Sequence, residues 1–270
     1  MMKPIAFFAI LIVFSTLIAC KNKAPEAQDT ALQTTIIPEK QVTSIQSPTK
    51  ADRIINESIE AHGGDLYRQA DYSFVFRKNT YRFTNNEDQF TYSVTQAKSN
   101  AKNLLVNGNL ERYENGKKVA LSQRNINRYS EALNSVIYFA TLPYKLNDAA
   151  VNKEYVGNTT IKGQSYEVIR VTFDQEGGGK DYDDEFHYWI NAQTKKIDYL
   201  AYSYITGDKG VRFRSAYNSR VVDGITFQDY INYKAAWGTP LKDLPAMYEK
   251  GKLKELSRIV TEDVVNLKAQ

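Results

Sequence analysis

The chain has 270 residues and a formal net charge of +4, and 12% of its residues are aromatic, tyrosine (19) far outnumbering tryptophan (2). Lys and Arg are scattered among acids instead of gathering into a stripe, which excludes the electrostatic footprint of a nucleic-acid binder. Length alone permits one large all-β domain or two small ones, and a single cysteine excludes a disulfide framework.

The first element is a leader. Met1-Met2-Lys3-Pro4 supplies a positive start, and Ile5 to Ile18 is apolar except for Ser15 and Thr16. That run is shorter than the roughly 20 residues a spanning helix needs, so it reads as the core of a signal peptide over residues 1–19. Leu17-Ile18-Ala19-Cys20 resembles the bacterial lipobox. The resemblance implies that Cys20 carries diacylglycerol and becomes the first mature residue. Residues 20–50 hold Pro25, Pro38 and Pro48 among small and polar residues with no aromatic, which predicts a disordered tether. As a flexible coil, ~30 residues span on the order of 30 Å.

The domain at 51–270 opens with a helix. Thr49 can cap it, with Asp52 three residues on as a near capping box, and Gly63-Gly64 stops it. Ile54, Ile55, Ser58, Ile59 and His62 share one face. His62 suits the negative helix end better than it suits a catalytic base, since no nucleophile lies nearby in sequence. Strands follow at Tyr72–Arg77, Tyr81–Phe83, Gln89–Val94, Leu104–Val106 and Leu110–Tyr113. Asn107-Gly108 and Asn115-Gly116 are both hairpin signals, and the second has the better flanks, so one two-residue turn is expected there. Tyr129 to Leu142 reads as an apolar helix capped by Ser130 and ended by Pro143. It serves as core packing or as a lid whose Phe139, Ala140, Leu142 and Tyr144 line a cavity.

From about Ile161 to Ala235 the chain reads as a β-meander, rich in Val, Ile, Tyr, Phe and Thr between Gly/Asn/Asp turns. Phe186, Tyr188 and Ile190 point one way; His187 and Trp189 point the other, and Trp189 joins the expected cavity lining. Apolar residues on both faces require that both be covered or that one line a pocket. Leu253 to Leu267 fits a helix or a closing strand, and the strand is adopted. The fold class is therefore mainly β (α+β): a single curled antiparallel sheet or half-barrel with helices covering its concave side.

Chemistry is sparse. There is no Gly-x-Ser-x-Gly elbow, no His-Glu-x-x-His and no paired cysteine. Asp181, Asp183, Asp184 and Glu185 are the best metal candidates, since calcium wants several oxygens on one loop, but their spacing is not that of an EF-hand. Asp183 or Glu185 beside His187 could make an acid–base pair, and alternation puts Glu185 and His187 on one strand face while Asp184 is on the other. No catalytic residue and no cofactor is expected.

In order and kind, these features resemble the lipoprotein-carrier (LolA/LolB-like) half-barrel superfamily, and more closely a group of Bacteroidota lipoproteins. The residues carrying the resemblance are Ile54-Ile55-Asn56-Glu57-Ser58-Ile59-Glu60-Ala61-His62-Gly63-Gly64, Val136-Ile137-Tyr138-Phe139 with Leu142-Pro143-Tyr144, and Phe186-His187-Tyr188-Trp189-Ile190. The resemblance implies a sheet curled around an apolar cavity that holds acyl chains, and it supplies no catalytic residue. The expectation is a monomeric, non-catalytic envelope lipoprotein, anchored to the outer membrane through Cys20 and facing the periplasm, that binds an acyl lipid or a lipoprotein. A scaffold with a filled core is the alternative, and a hydrolase or calcium-dependent enzyme using the Asp181–His187 region is a third reading.

Overall fold

Helix α1 (Lys50–His62) begins where the capping box places it: Thr49 Oγ1 accepts from the Asp52 backbone N–H while the Asp52 carboxylate accepts from the Thr49 N–H. Gly63 ends it at φ 145°, a backbone angle that disfavours a side chain. The computed structural model describes residues 47–87, 89–176, 181–205 and 209–268. The leader, Cys20 and most of the tether lie outside them, as does most of the turn at 175–180. Among the described residues, no helix is long and apolar enough to cross a membrane.

Six short strands come next: β1 (Asp71–Phe76), β2 (Asn79–Asn86), β3 (Gln89–Thr95), β4 (Lys102–Val106), β5 (Asn109–Glu114) and β6 (Lys117–Val119). Both Asn-Gly pairs turn hairpins, correcting the expectation of one. Asn107 and Gly108 have φ of 46° and 85°, Asn115 and Gly116 of 50° and 76°, the positive pair that a two-residue turn matched to sheet twist requires. Arg77-Lys78 makes the same kind of turn at φ 50° and 70° with no glycine. No turn signal in the sequence marks it.

Helix α2 (Gln123–Ala140) starts almost two turns before the expected Tyr129, capped by Ser122 and not Ser130. Its first residues, Gln123-Arg124-Asn125, are polar, and Gln123 and Arg124 are exposed, so apolar periodicity could not see them.

The meander is longer than the sequence reading. It comprises β7 (Val151–Ile161), β8 (Gln164–Phe173), β9 (Glu185–Asn191), β10 (Ile197–Tyr204), β11 (Gly210–Val222) and β12 (Ile225–Ala235), followed by helix α3 (Leu244–Glu249) and strands β13 (Lys254–Ile259) and β14 (Glu262–Asn266). The protein is mainly β, with an open curl made of two seven-stranded antiparallel ladders. One runs β14-β1-β2-β3-β4-β5-β6 and the other β13-β12-β11-β10-β9-β8-β7. The closing segment is strand, as adopted, but it is split between them: β13 pairs with β12, and two residues later β14 pairs with β1.

Three apolar clusters hold this arrangement. Ile54, Ile55 and Ile59 of α1 pack on Ile169, Tyr188 and Leu200 of the second sheet. Leu133 and Ile137 of α2 pack on Phe74, Phe83, Tyr92 and Leu105 of the first sheet. Leu241, Leu244 and Leu253 cover Trp189, Phe213 and Val168 on the opposite face of the second sheet. Burying these groups removes apolar area worth about 25 cal/mol per Å². A leucine or isoleucine as enclosed as Ile55 costs about 2–5 kcal/mol to truncate to alanine.

His62 closes α1 at 1% exposure. Its Nδ1 donates to the Ser58 carbonyl at 2.8 Å, and its Nε2 lies 3.3 Å from the acceptor Oε1 of Gln228. Burial pushes its pKa down, as it does for His187. The unfolded chain therefore binds these protons first. Stability is complete above about pH 6.5 and falls as pH drops below it. Thermal melts across that range should show the fall, and His62→Asn, whose amide nitrogen replaces Nδ1, should reduce its slope while His187 retains the remainder.

Candidate functional site

Between α2 and the junction of the two sheets lies a cavity of about 320 Å³. It exists because α2 uses two adjacent faces. Leu133 and Ile137 plug into the first sheet, which turns Val136, Phe139 and Ala140 toward the gap where β1 diverges from β12. Phe74 and Phe76 form one wall, Tyr202, Arg214 and Tyr230 the other, and Ile259 with Thr261 the floor, where β13 gives way to β14. Helix α1 fills the neighbouring part of the concave side, so the hollow is confined to the α2 half.

Of the residues expected to line a cavity, Phe139 and Ala140 do so. Leu142 instead is enclosed in the cluster beneath α1, at 4% exposure. Tyr144 stacks on Tyr67 with ring centres 4.9 Å apart, bridging two clusters. Trp189 faces away altogether. Alternation along β9 sends Phe186 and Tyr188 inward and Trp189 to the outer face, under Leu241 and Leu244.

Of the acidic candidates, Asp183, Asp184 and Glu185 do not converge. Glu185 is committed to Arg170 Nε at 2.8 Å and lies 3.2 Å from His187 Nε2, and Arg170 also pairs with Glu154. Asp183 bonds the Tyr182 hydroxyl, while Asp184 is buried. Asp181 begins the short 3-10 turn before them. Among the described residues, no group of three or more His, Cys, Asp or Glu could hold a metal ion. Glu185 and His187 share a side, as the alternation predicts, on the outer face away from the cavity.

One cavity residue was missed by the sequence reading. Arg214 on β11 is 7% exposed, with its guanidinium carbon 3.7 Å from the Phe139 ring centre and Nη2 donating to the Tyr202 hydroxyl at 2.9 Å. Its Nε is sealed from solvent with no partner, and Asn232 Oδ1 nearby on β12 is likewise unmet. Arg214 makes no ion pair among the described residues, and none of the lining residues is acidic. A desolvated cation–π contact gives about 2 kcal/mol. That falls short of the several kcal/mol needed to bury a charge. The phenol of Tyr230 is pushed up by burial, opposed by the Arg214 charge, and so stays neutral beside it. The site therefore combines apolar walls with one under-compensated cation.

A second, more open hollow lies outside this one, near Leu66, Arg68 and Lys268, with polar and charged walls of both signs. It offers neither enclosure nor a single chemistry.

The fold is similar to that of a DUF1329 family protein from Desulfovibrio piger, at a TM-score of 0.50 and 11% identity, over 82% of this chain and 94% of that chain. A LolA superfamily protein from Nitrosomonas europaea gives a TM-score of 0.45 at 12% identity over 80% and 93% of the two chains. A Vibrio parahaemolyticus domain ascribed to outer membrane lipoprotein sorting gives 0.44 at 10% over 81% and 92%. Such identities speak for the fold alone. No curated protein matches the chain in sequence. The profile of a family of unknown function, DUF6503, matches residues 13–262, and the chain belongs to that family.

Proposed function

We propose that this protein is a non-catalytic lipoprotein of the cell envelope, anchored through Cys20, that binds an acyl chain in the cavity beneath α2. The observation that carries the reading is the half-open cavity between Val136, Phe139 and Ala140 on one side and Phe74, Phe76 and Ile259 on the other. Its volume sits at the lower end of the roughly 300–1,000 Å³ typical of small-molecule sites. Apolar burial needs area and shape more than polar groups, which suits walls made of Phe74, Phe76, Val136, Phe139 and Ile259. An outer-membrane position facing the periplasm is part of the same proposal, resting on the lipobox and on a tether without an acidic run after Cys20.

Lipid mass spectrometry of the purified protein is expected to reveal co-purified acyl lipid. Finding none, together with failure of a fluorescent fatty acid to bind, would sink the proposal. The anchor has its own measurement: Cys20→Ala should move the protein out of the pool that carries covalent diacylglycerol, read as loss of metabolic labelling with an alkynyl fatty acid. Undiminished labelling would show that Cys20 is not the modified residue.

A second reading, an envelope scaffold with a filled core, draws on the α1 half of the concave face. There Ile55, Ile169, Tyr188 and Leu200 are fully enclosed.

A further inference from the structure

Resting on the cavity reading above, we propose that the ligand is a single-chain acid whose carboxylate is held by Arg214. Of the three guanidinium nitrogens only Nη2 has a partner among the described residues, the Tyr202 hydroxyl, so the fork retains donors for a planar anion. Its Nε is sealed within the protein without a partner, which leaves the charge under-compensated, and Nη1, which is not sealed, is the donor that a ligand would meet. The nearest side chains, Phe139, Tyr202 and Tyr230, are aromatic, and no lining residue is acidic. Asp229, buried one position from Tyr230, is already committed to Asn218, Arg220 and Thr261. A carboxylate is thus the missing countercharge. An aliphatic tail leaving it would run along Phe74, Val136 and Ile259 toward the rim, where exposed Arg77 stands. The cavity's size suits one chain and a small head better than a two-chain phospholipid.

The test uses the full chain in isolated membranes. A photoreactive diazirine hexadecanoic acid is compared with the hexadecanol of the same length and diazirine position, and labelling of the peptide carrying Phe139 is quantified against partition into the lipid. A charge-assisted hydrogen bond predicts an acid-to-alcohol ratio of about tenfold or more. Arg214→Met should bring that ratio close to one, and Arg77→Met should leave it unchanged. Equal labelling by acid and alcohol in the unsubstituted protein overturns the headgroup assignment while leaving the cavity intact. Labelling by neither overturns both. Because the acid–alcohol comparison needs no substitution, poor folding of Arg214→Met would not rescue the proposal. If Arg77→Met abolishes the preference instead, Arg214 is not the anchor.

Discussion

Asp229→Ala is expected to destabilise the folded domain by about 3–5 kcal/mol, the effect of stripping one partner from a buried charged network. Asp229 on β12 is 1% exposed. One carboxylate oxygen accepts from Arg220 Nη1 at 3.2 Å and from the Thr261 backbone N–H and hydroxyl at 3.0 and 3.1 Å. The other accepts from Asn218 Nδ2 at 2.6 Å. Arg220 reaches this position because β11 slips register between Tyr217 and Arg220, with Asn218 at φ 49° taking up the extra residue. Thr261 is the residue at which the chain leaves one sheet for the other, and Arg220 also donates to its carbonyl. Alanine would strand these donors where water cannot replace the carboxylate. Denaturant unfolding should show a lower midpoint. An unchanged midpoint would mean that the junction is held by its strand ladders alone. Asp229→Asn, which keeps the shape and one acceptor, should lose less.

Ala140→Trp is expected to abolish binding of a fluorescent fatty acid while leaving thermal stability within about 1 kcal/mol of the parent. Ala140 lines the cavity on the last turn of α2, and an indole there enters space that is now empty. The two functional readings diverge sharply at this position. If the core were already filled, the larger side chain would overpack it and cost about 1–3 kcal/mol, with no binding to lose. If the space is open, the indole occupies it in place of a ligand. Calorimetry and probe titration on the same preparation separate the cases, and retained binding in a folded variant would place the ligand elsewhere.

The parts of the fold that could be read from sequence are those where one local rule governs. Thr49 and Asp52 set the start of α1 and Gly63 its end, because capping acts over a few residues. The two faces of β9 followed from alternation alone. The readings that failed are those that long-range packing decides. Strand β7 carries Asn152, Lys153, Glu154, Asn158 and Thr160 and buries little, since it is an edge strand paired on one side only. It therefore lacks the apolar signature that marked its neighbours. Grouping Trp189 with Phe139 required knowing which face of the sheet α2 covers, and no periodicity supplies that. Arg214 was invisible for a similar reason: a charged residue in a strand reads as solvent-facing. The available signal was its cross-strand company, since Arg214 sits opposite Leu200 on one neighbour and Asn232 on the other, in a sheet covered on both faces.

The segment that passes from β13 to β14 has a consequence for how the molecule comes into being. Strand β1 begins at Asp71, yet one of its two partners, β14, is made of residues 262–266. The intervening chain must all be present before that pairing forms, and so distant a contact carries a large loop-closure entropy. Until then β1 is an unprotected edge and the Asp229–Thr261 junction cannot close. Folding of this domain is thus coupled to the arrival of residues 262–266, and β1 stays an open edge until they are in place.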